Sequence, residues 1–161
     1  MKKTSILLIL IILSAWQPAW ADKQDLGNGF LNLPWGAAAE ALSGDKNQMD
    51  SQAQDERLQI FSRQGVELGG VVVDEIQYVF FENHFAHAVI LHHDVKALIA
   101  ALRSEYGPPD VEHDDGIINW RVNVSSDIAE LVTVGVIPER NAVMVINNKY
   151  FTRMLEGLMG K

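Results

Sequence analysis

Residues 71–91, reading VVVDEIQYVFFENHFAHAVIL, do most to narrow the folds open to this chain. Ile76, Tyr78 and Phe80 recur at period two in a stretch rich in β-branched and aromatic side chains, the pattern of a strand with a buried face. Glu82-Asn83-His84 reads as a turn, and residues 85–91 return as the hairpin partner. Strands joined this closely are antiparallel, because a parallel pair needs a crossover of a dozen or more residues. A helix follows at once. Asp94 is a good N-cap, and Val95, Leu98, Leu102 and Tyr106 recur at helical spacing. Gly107 then permits a left-handed cap, and Pro108-Pro109 forbid continuation.

The flanking segments extend this pattern. Residues 22–29 are polar and read as a mobile lead-in, followed by a short strand with Phe30, Leu31 and Leu33 that Pro34-Trp35-Gly36 closes. Residues 37–42 are alanine-rich and predict a short helix stopped by Gly44, and residues 45–56 predict an exposed loop. Leu58, Ile60 and Ser62 share one side of a further strand, with a turn near Gly65. After an acidic loop over 110–116 come strand-like runs at 117–122, 128–137 and 142–146. A terminal helix sets Phe151, Met154, Leu155, Leu158 and Met159 on one stripe; at ~10 residues it must dock to persist. The fold class is therefore α+β, an antiparallel sheet with helices on one face. A short helix followed by strands occurs twice, from Gly36 and from Asp94, the order of a duplicated α/β-meander unit.

The start of the chain has the three parts of a secretory signal peptide. Lys2 and Lys3 precede an apolar stretch over 6–13, and Ala19-Trp20-Ala21 supplies the small residues of a cleavage site. Cleavage after Ala21 leaves residues 22–161 as a single α+β domain in the periplasm or outside the cell. The apolar stretch is shorter than the ~20 residues that span a bilayer. Removing the leader takes away two lysines and no acid, leaving 11 basic against 21 acidic residues, a formal charge of −10. Such a balance disfavours nucleic acid and anionic membranes as partners. With no cysteine anywhere, thiol catalysis and Zn–thiolate sites are excluded.

Motifs for catalysis are missing: there is no Gly-x-Ser-x-Gly elbow, no His-Glu-x-x-His and no phosphate-cradling glycine loop. Asp110, Glu112 and Asp114 begin like a calcium loop, but Asp115 replaces the turn glycine and Arg121 stands where a bidentate glutamate belongs. Asn123-Val124-Ser125 matches a glycosylation sequon and reads as a chance match. Histidine offers metal ligands. Strand alternation puts His87 with Phe85, Val89 and Leu91, and His92 on the opposite side with Ala88 and Ile90. His84 lies at the far end of that strand, so a metal site would join His92 or His93 to His113. Trp35, at a turn, either caps the core edge or projects as a partner-binding anchor; Trp120 and Phe151 read as core. Glu75 and Gln77 mark the sheet face left free for a partner. These readings predict a non-catalytic interaction or scaffold module without a cofactor, acting on an envelope protein. The alternative is a protein binding a small ligand or divalent metal.

The strings Gly29-Phe30-Leu31-Asn32-Leu33-Pro34-Trp35-Gly36, Tyr78-Val79-Phe80-Phe81-Glu82-Asn83 and Leu102-Arg103-Ser104-Glu105-Tyr106-Gly107-Pro108-Pro109 resemble those of small exported bacterial proteins. The layout is similar to the helix-plus-sheet modules of the outer-membrane assembly lipoprotein BamE and of beta-lactamase inhibitor protein. The resemblance implies binding to other proteins without catalysis. This chain lacks the lipid-bearing cysteine of the first and the disulfides of the second, so neither family's partner carries over.

Overall fold

The computed structural model describes residues 23–44, 47–49, 55–113, 118–122 and 131–160. The leader with its cleavage site, most of the 45–56 loop and the 123–125 sequon lie outside these residues. In chain order the elements are α1 (Lys23–Asn28), β1 (Gly29–Phe30), β2 (Leu33–Pro34), a 3-10 turn (Ala39–Ala41), β3 (Asn47–Met49), β4 (Leu58–Arg63), β5 (Val66–Leu68) and β6 (Val71–Val73). There follow β7 (Glu75–Phe81), β8 (His84–Leu91), α2 (Val95–Tyr106), β9 (Val111–Glu112), β10 (Ile118–Val122), β11 (Val132–Ile137), a second 3-10 turn (Pro138–Arg140), β12 (Ala142–Asn147) and α3 (Asn148–Leu158). Eight strands form one antiparallel sheet in the order β3-β4-β7-β8-β12-β11-β10-β9. Its two halves are four-stranded meanders that meet last strand to last strand, and β5–β6 stands apart as a separate hairpin.

Strand alternation decides what each face does. Ile76, Tyr78 and Phe80 of β7 turn to one face, where they meet Phe85, Ala88 and Ile90 of β8, Val143 and Val145 of β12, and Trp120. Leu98, Leu102 and Tyr106 of α2 close over this layer, together with Leu26, Phe30, Leu33 and Trp35. Fully burying such side chains stabilises by roughly 1.5–3 kcal/mol each. Helix α2 begins as its sequence predicts: the Asp94 carboxylate accepts hydrogen bonds from the Lys96 and Ala97 N–H groups. Gly107 ends it at φ 76°, and its carbonyl accepts the Trp120 indole N–H at 2.8 Å, tying helix end to sheet.

The opposite face holds α3. Met154 packs there with Val79, Phe81 and Ala86, so the helices cover opposite faces rather than one. Helical periodicity shows that a helix has an apolar side and leaves open which face of the sheet receives it. Three other expectations change. The lead-in forms α1, whose Leu26 is buried and accepts the Trp35 indole N–H through its carbonyl. The alanine-rich stretch makes only a 3-10 turn, whose first N–H, that of Ala39, is capped by the Asn83 side-chain oxygen at 2.9 Å. The run 71–81 breaks at Asp74, since residues 71–73 pair with β5 across Gly69-Gly70.

A bulge between the facing pairs Phe80–Phe85 and Val79–His87 inserts Ala86 and reverses the parity of β8. Phe85 therefore shares its face with Ala88 and Ile90, and His87 turns to the α3 side with Val89 and Leu91. The Phe85–His87 grouping expected from simple alternation is thus corrected, while His92 does sit on the buried, opposite side.

Gly157 of α3 lies against the Phe81 ring, and a Cβ there would come 2.3 Å from Phe81 Cζ. The Arg57 guanidinium stands 5.1 Å from the centroid of the same ring, and Arg57 Nη2 donates to the Gly157 carbonyl. Helix propensity alone favours Gly157→Ala by ~1 kcal/mol, whereas forcing an extra methyl into a packed site costs about 1–3 kcal/mol. We expect the substitution to lower the urea midpoint, a net loss of about 1 kcal/mol. In a Phe81→Leu background the same change should become neutral or stabilising.

Candidate functional site

The face that carries α3 is covered only in part. On the α2 face, Val132, Val134 and Val136 of β11 and Val143 and Val145 of β12 are all buried. Their alternating neighbours Thr133, Gly135, Ile137, Met144 and Ile146 are all half-buried. A groove of about 320 Å³ lies over these positions, with Asn119 of β10 along it. Gly135 keeps its floor low: a Cβ there would stand 3.2 Å from Asn119 Oδ1. Pairing with Leu91 and Val89 places Glu75 and Gln77 on this same face, where Gln77 Nε2 donates to Glu75 Oε1 at 2.9 Å. Glu139 lines the groove, and Arg121 is turned to the same face through its pairing with Thr133.

Helix α3 is only partly docked. Sequence alone predicts that its whole stripe docks, yet only Met154 is buried. Phe151 packs edge-on against His87, with ring centroids 5.2 Å apart. Leu155 and Leu158 follow at spacings that keep them on the Phe151 side, and they are 40% and 38% exposed. Trp35 contributes nothing here. Its ring stacks on Phe85 at 4.8 Å between centroids, and its N–H is spent on the Leu26 carbonyl at 2.7 Å. It caps the core edge, so the anchor role considered for it is withdrawn.

The histidines separate into different environments. His84 Nδ1 lies 2.7 Å from the Glu82 carbonyl oxygen in the hairpin turn. His113 is exposed beyond β9 and joins no ligand cluster among the described residues. His92 and His93 instead meet Asp74, with one donor atom from each within 4.8 Å of the others. His93 Nδ1 is 3.0 Å from both Asp74 carboxylate oxygens, and the His93 backbone N–H donates to Oδ2 at 2.7 Å. These bonds, the side-chain one foremost, hold the Asp74 carboxyl below its usual range. The partner expected for His92 and His93 was His113; the residue in place is Asp74. Its only trace in the sequence is as the one charge interrupting the apolar run 71–73 before the next strand.

A second depression, of about 370 Å³, lies between the β1–β2 hairpin and the end of α2, with Glu105 as its one charged lining residue. Comparison with known proteins finds no matching family model, no matching curated protein and no matching solved structure. No catalytic family or homologue is thereby identified for the chain.

His87 is buried under Phe151, and its Nδ1 has no hydrogen-bond partner. Burial therefore pushes its pKa down from 6.5 to about 4. Below pH 6.5 the unfolded chain takes up a proton that the folded chain refuses. The neutral imidazole is thus compatible with the fold above pH 6.5, and stability falls as pH drops from 6.5 towards 4. The full penalty is about 3 kcal/mol. His87→Leu should flatten the wild-type slope of unfolding free energy across this window. An unchanged slope by pH-dependent urea denaturation would show that another group controls it.

Proposed function

We propose that this chain is an exported, non-catalytic binding domain that receives an apolar segment of an envelope protein on the uncovered half of its sheet. The observation that carries the reading is the contrast between faces: alternate positions of β11 and β12 are buried on one, while on the other Thr133, Gly135, Ile137, Met144 and Ile146 are half-buried and Ala142 alone is buried. Isolated exposed apolar residues are ordinary, but here Ile137, Met144 and Ile146 line one groove together. The groove admits a few side chains, which suits a segment better than a broad domain surface.

The charge of the domain supports a segment flanked by lysine or arginine. The formal net charge is −8, and −10 once the two lysines of the leader are removed; Glu139 is the charged residue lining the groove, and Glu75 and Arg121 stand on the same face. Such complementarity acts mainly on encounter rate and on partner choice. Export rests on the leader, with its two lysines, apolar stretch and small-residue cleavage site. The likeness to BamE and the inhibitor modules rests on the short strings quoted above. A divalent-metal reading is favoured by a different observation, the meeting of Asp74, His92 and His93.

A photocrosslinking residue placed at Met144 or Ile146, with Val72 as an exposed control on the β5–β6 hairpin, tests the proposal in cells that make the protein. Adducts at 144 and 146 but not at 72 are expected, mapping to an apolar stretch with flanking basic residues. Ile146→Lys should abolish the adduct at 144. The reading fails if 144 and 146 give no adduct beyond the control, or only adducts with a second copy of this chain.

A further inference from the structure

Asp74 sits at the break between β6 and β7, and His92-His93 lies between β8 and the N-cap of α2. The β7–β8 register makes them neighbours: Glu75 faces Leu91, and the Asp74 N–H extends the ladder to the Leu91 carbonyl at 3.2 Å. The backbone here is held from several sides. The His92 N–H donates to the Asn141 carbonyl at 3.1 Å, and the adjacent Asp94 is committed to capping α2. Two imidazoles and a carboxylate thus converge on a rigid junction of four elements.

His92 is the informative member. Its side chain is only 6% exposed, and its buried Nδ1 makes no hydrogen bond. Asp74 Oδ1 is 3.3 Å away, out of hydrogen-bonding geometry. A buried ring nitrogen without a partner normally costs about 1–3 kcal/mol, and here, unlike at His87, two further ligand groups converge beside it, so a bound ion would account for it. The two other members face solvent, Asp74 at 48% and His93 at 76% side-chain exposure, so an ion can reach the site.

The geometry points to a mononuclear zinc-binding site formed by Asp74, His92 and His93, independent of the sheet groove. Zinc bonds to imidazole nitrogen and carboxylate oxygen measure roughly 2.0–2.2 Å, so tetrahedral ligands stand roughly 3.3–3.5 Å apart. The two histidine–carboxylate separations, 3.3 and 3.0 Å, are already on that scale. Closing the third separation asks only for rotation of the exposed His93 ring. Asp74 Oδ2 can keep the His93 backbone N–H while Oδ1 turns to the ion. Two nitrogens and one oxygen select a late first-row ion over calcium or magnesium, which prefer all-oxygen shells. Three protein ligands leave the fourth zinc position to water.

Titration of the untagged, EDTA-stripped protein with Zn²⁺, followed by calorimetry and by thermal unfolding, tests this. A 1:1 stoichiometry and a Tm rise that EDTA reverses are expected, with no rise for Mg²⁺. Asp74→Asn keeps an acceptor for the His93 N–H, and His93→Ala alters an exposed ring, so both variants should fold with an unchanged Tm in EDTA. Each should weaken Zn²⁺ binding at least tenfold. His113→Ala should bind as wild type does. Absence of 1:1 binding, or binding retained in both site variants, overturns the assignment.

Discussion

The pairing of β8 with β12 is the interaction on which the rest of the molecule depends. It is the only seam in the large sheet between strands before α2 and strands after it, joining residues 87–91 to 142–146. On one side of the seam Ala88 and Ile90 meet Val145 and Val143, all fully buried, so the pairing is also the middle of the core. Both helices take their positions from it. Helix α2 starts three residues beyond the end of β8, and α3 starts directly from the end of β12. About fifty residues separate the two strands in sequence. Their closure costs chain entropy before it returns contact energy, which favours cooperative folding over independent folding of the two meanders.

What could be read from the sequence was what local chemistry decides. The α2 boundaries follow from Asp94, Gly107 and Pro108, each acting within a turn of the helix end. The strand that holds Leu58, Ile60 and Ser62, the hairpin partner over 85–91 and the run 142–146 follow from apolar stretches bounded by turn signals, and the structure extends the last two by one residue each. What could not be read was set by distant residues. Nothing in Phe85-Ala86-His87 announces a bulge, because the extra residue is neither glycine nor proline and its reason lies in packing against Met154. The alanine-rich run has helical composition, yet it winds only into a 3-10 turn over Ala39–Ala41, whose start is capped by a side chain 44 positions away. A single leucine in α1 gives no periodicity to detect, although it is buried among the core residues.

The two candidate sites show the same division. The open face was legible as a strand pattern, since Glu75 and Gln77 alternate with buried residues. Its extent depends on how much of the sheet α3 covers, which only the docked helix reveals. The histidines were legible as ligands, but their third partner was not. Asp74 reaches them through the strand register; it lies 19 residues before His93 and His113 lies 20 after it, so spacing alone does not choose between them.

The break at Asp74 also explains why such a cluster can exist without weakening the core. At the positions of β7 that face α2, those of Ile76, Tyr78 and Phe80, a carboxylate would be buried among apolar side chains that could not offset the cost. Moving it one residue before the strand puts it at the sheet margin, where it remains 48% exposed and still receives the His93 N–H. The histidines likewise lie just past the end of β8, so only His92 is carried inward by the alternation of the strand. The sheet thereby keeps its middle for apolar contact, including the uncovered groove, and keeps its charged ligands at one rim. The proposed hydrophobic recognition and the proposed ion binding would thus use different parts of the same strands.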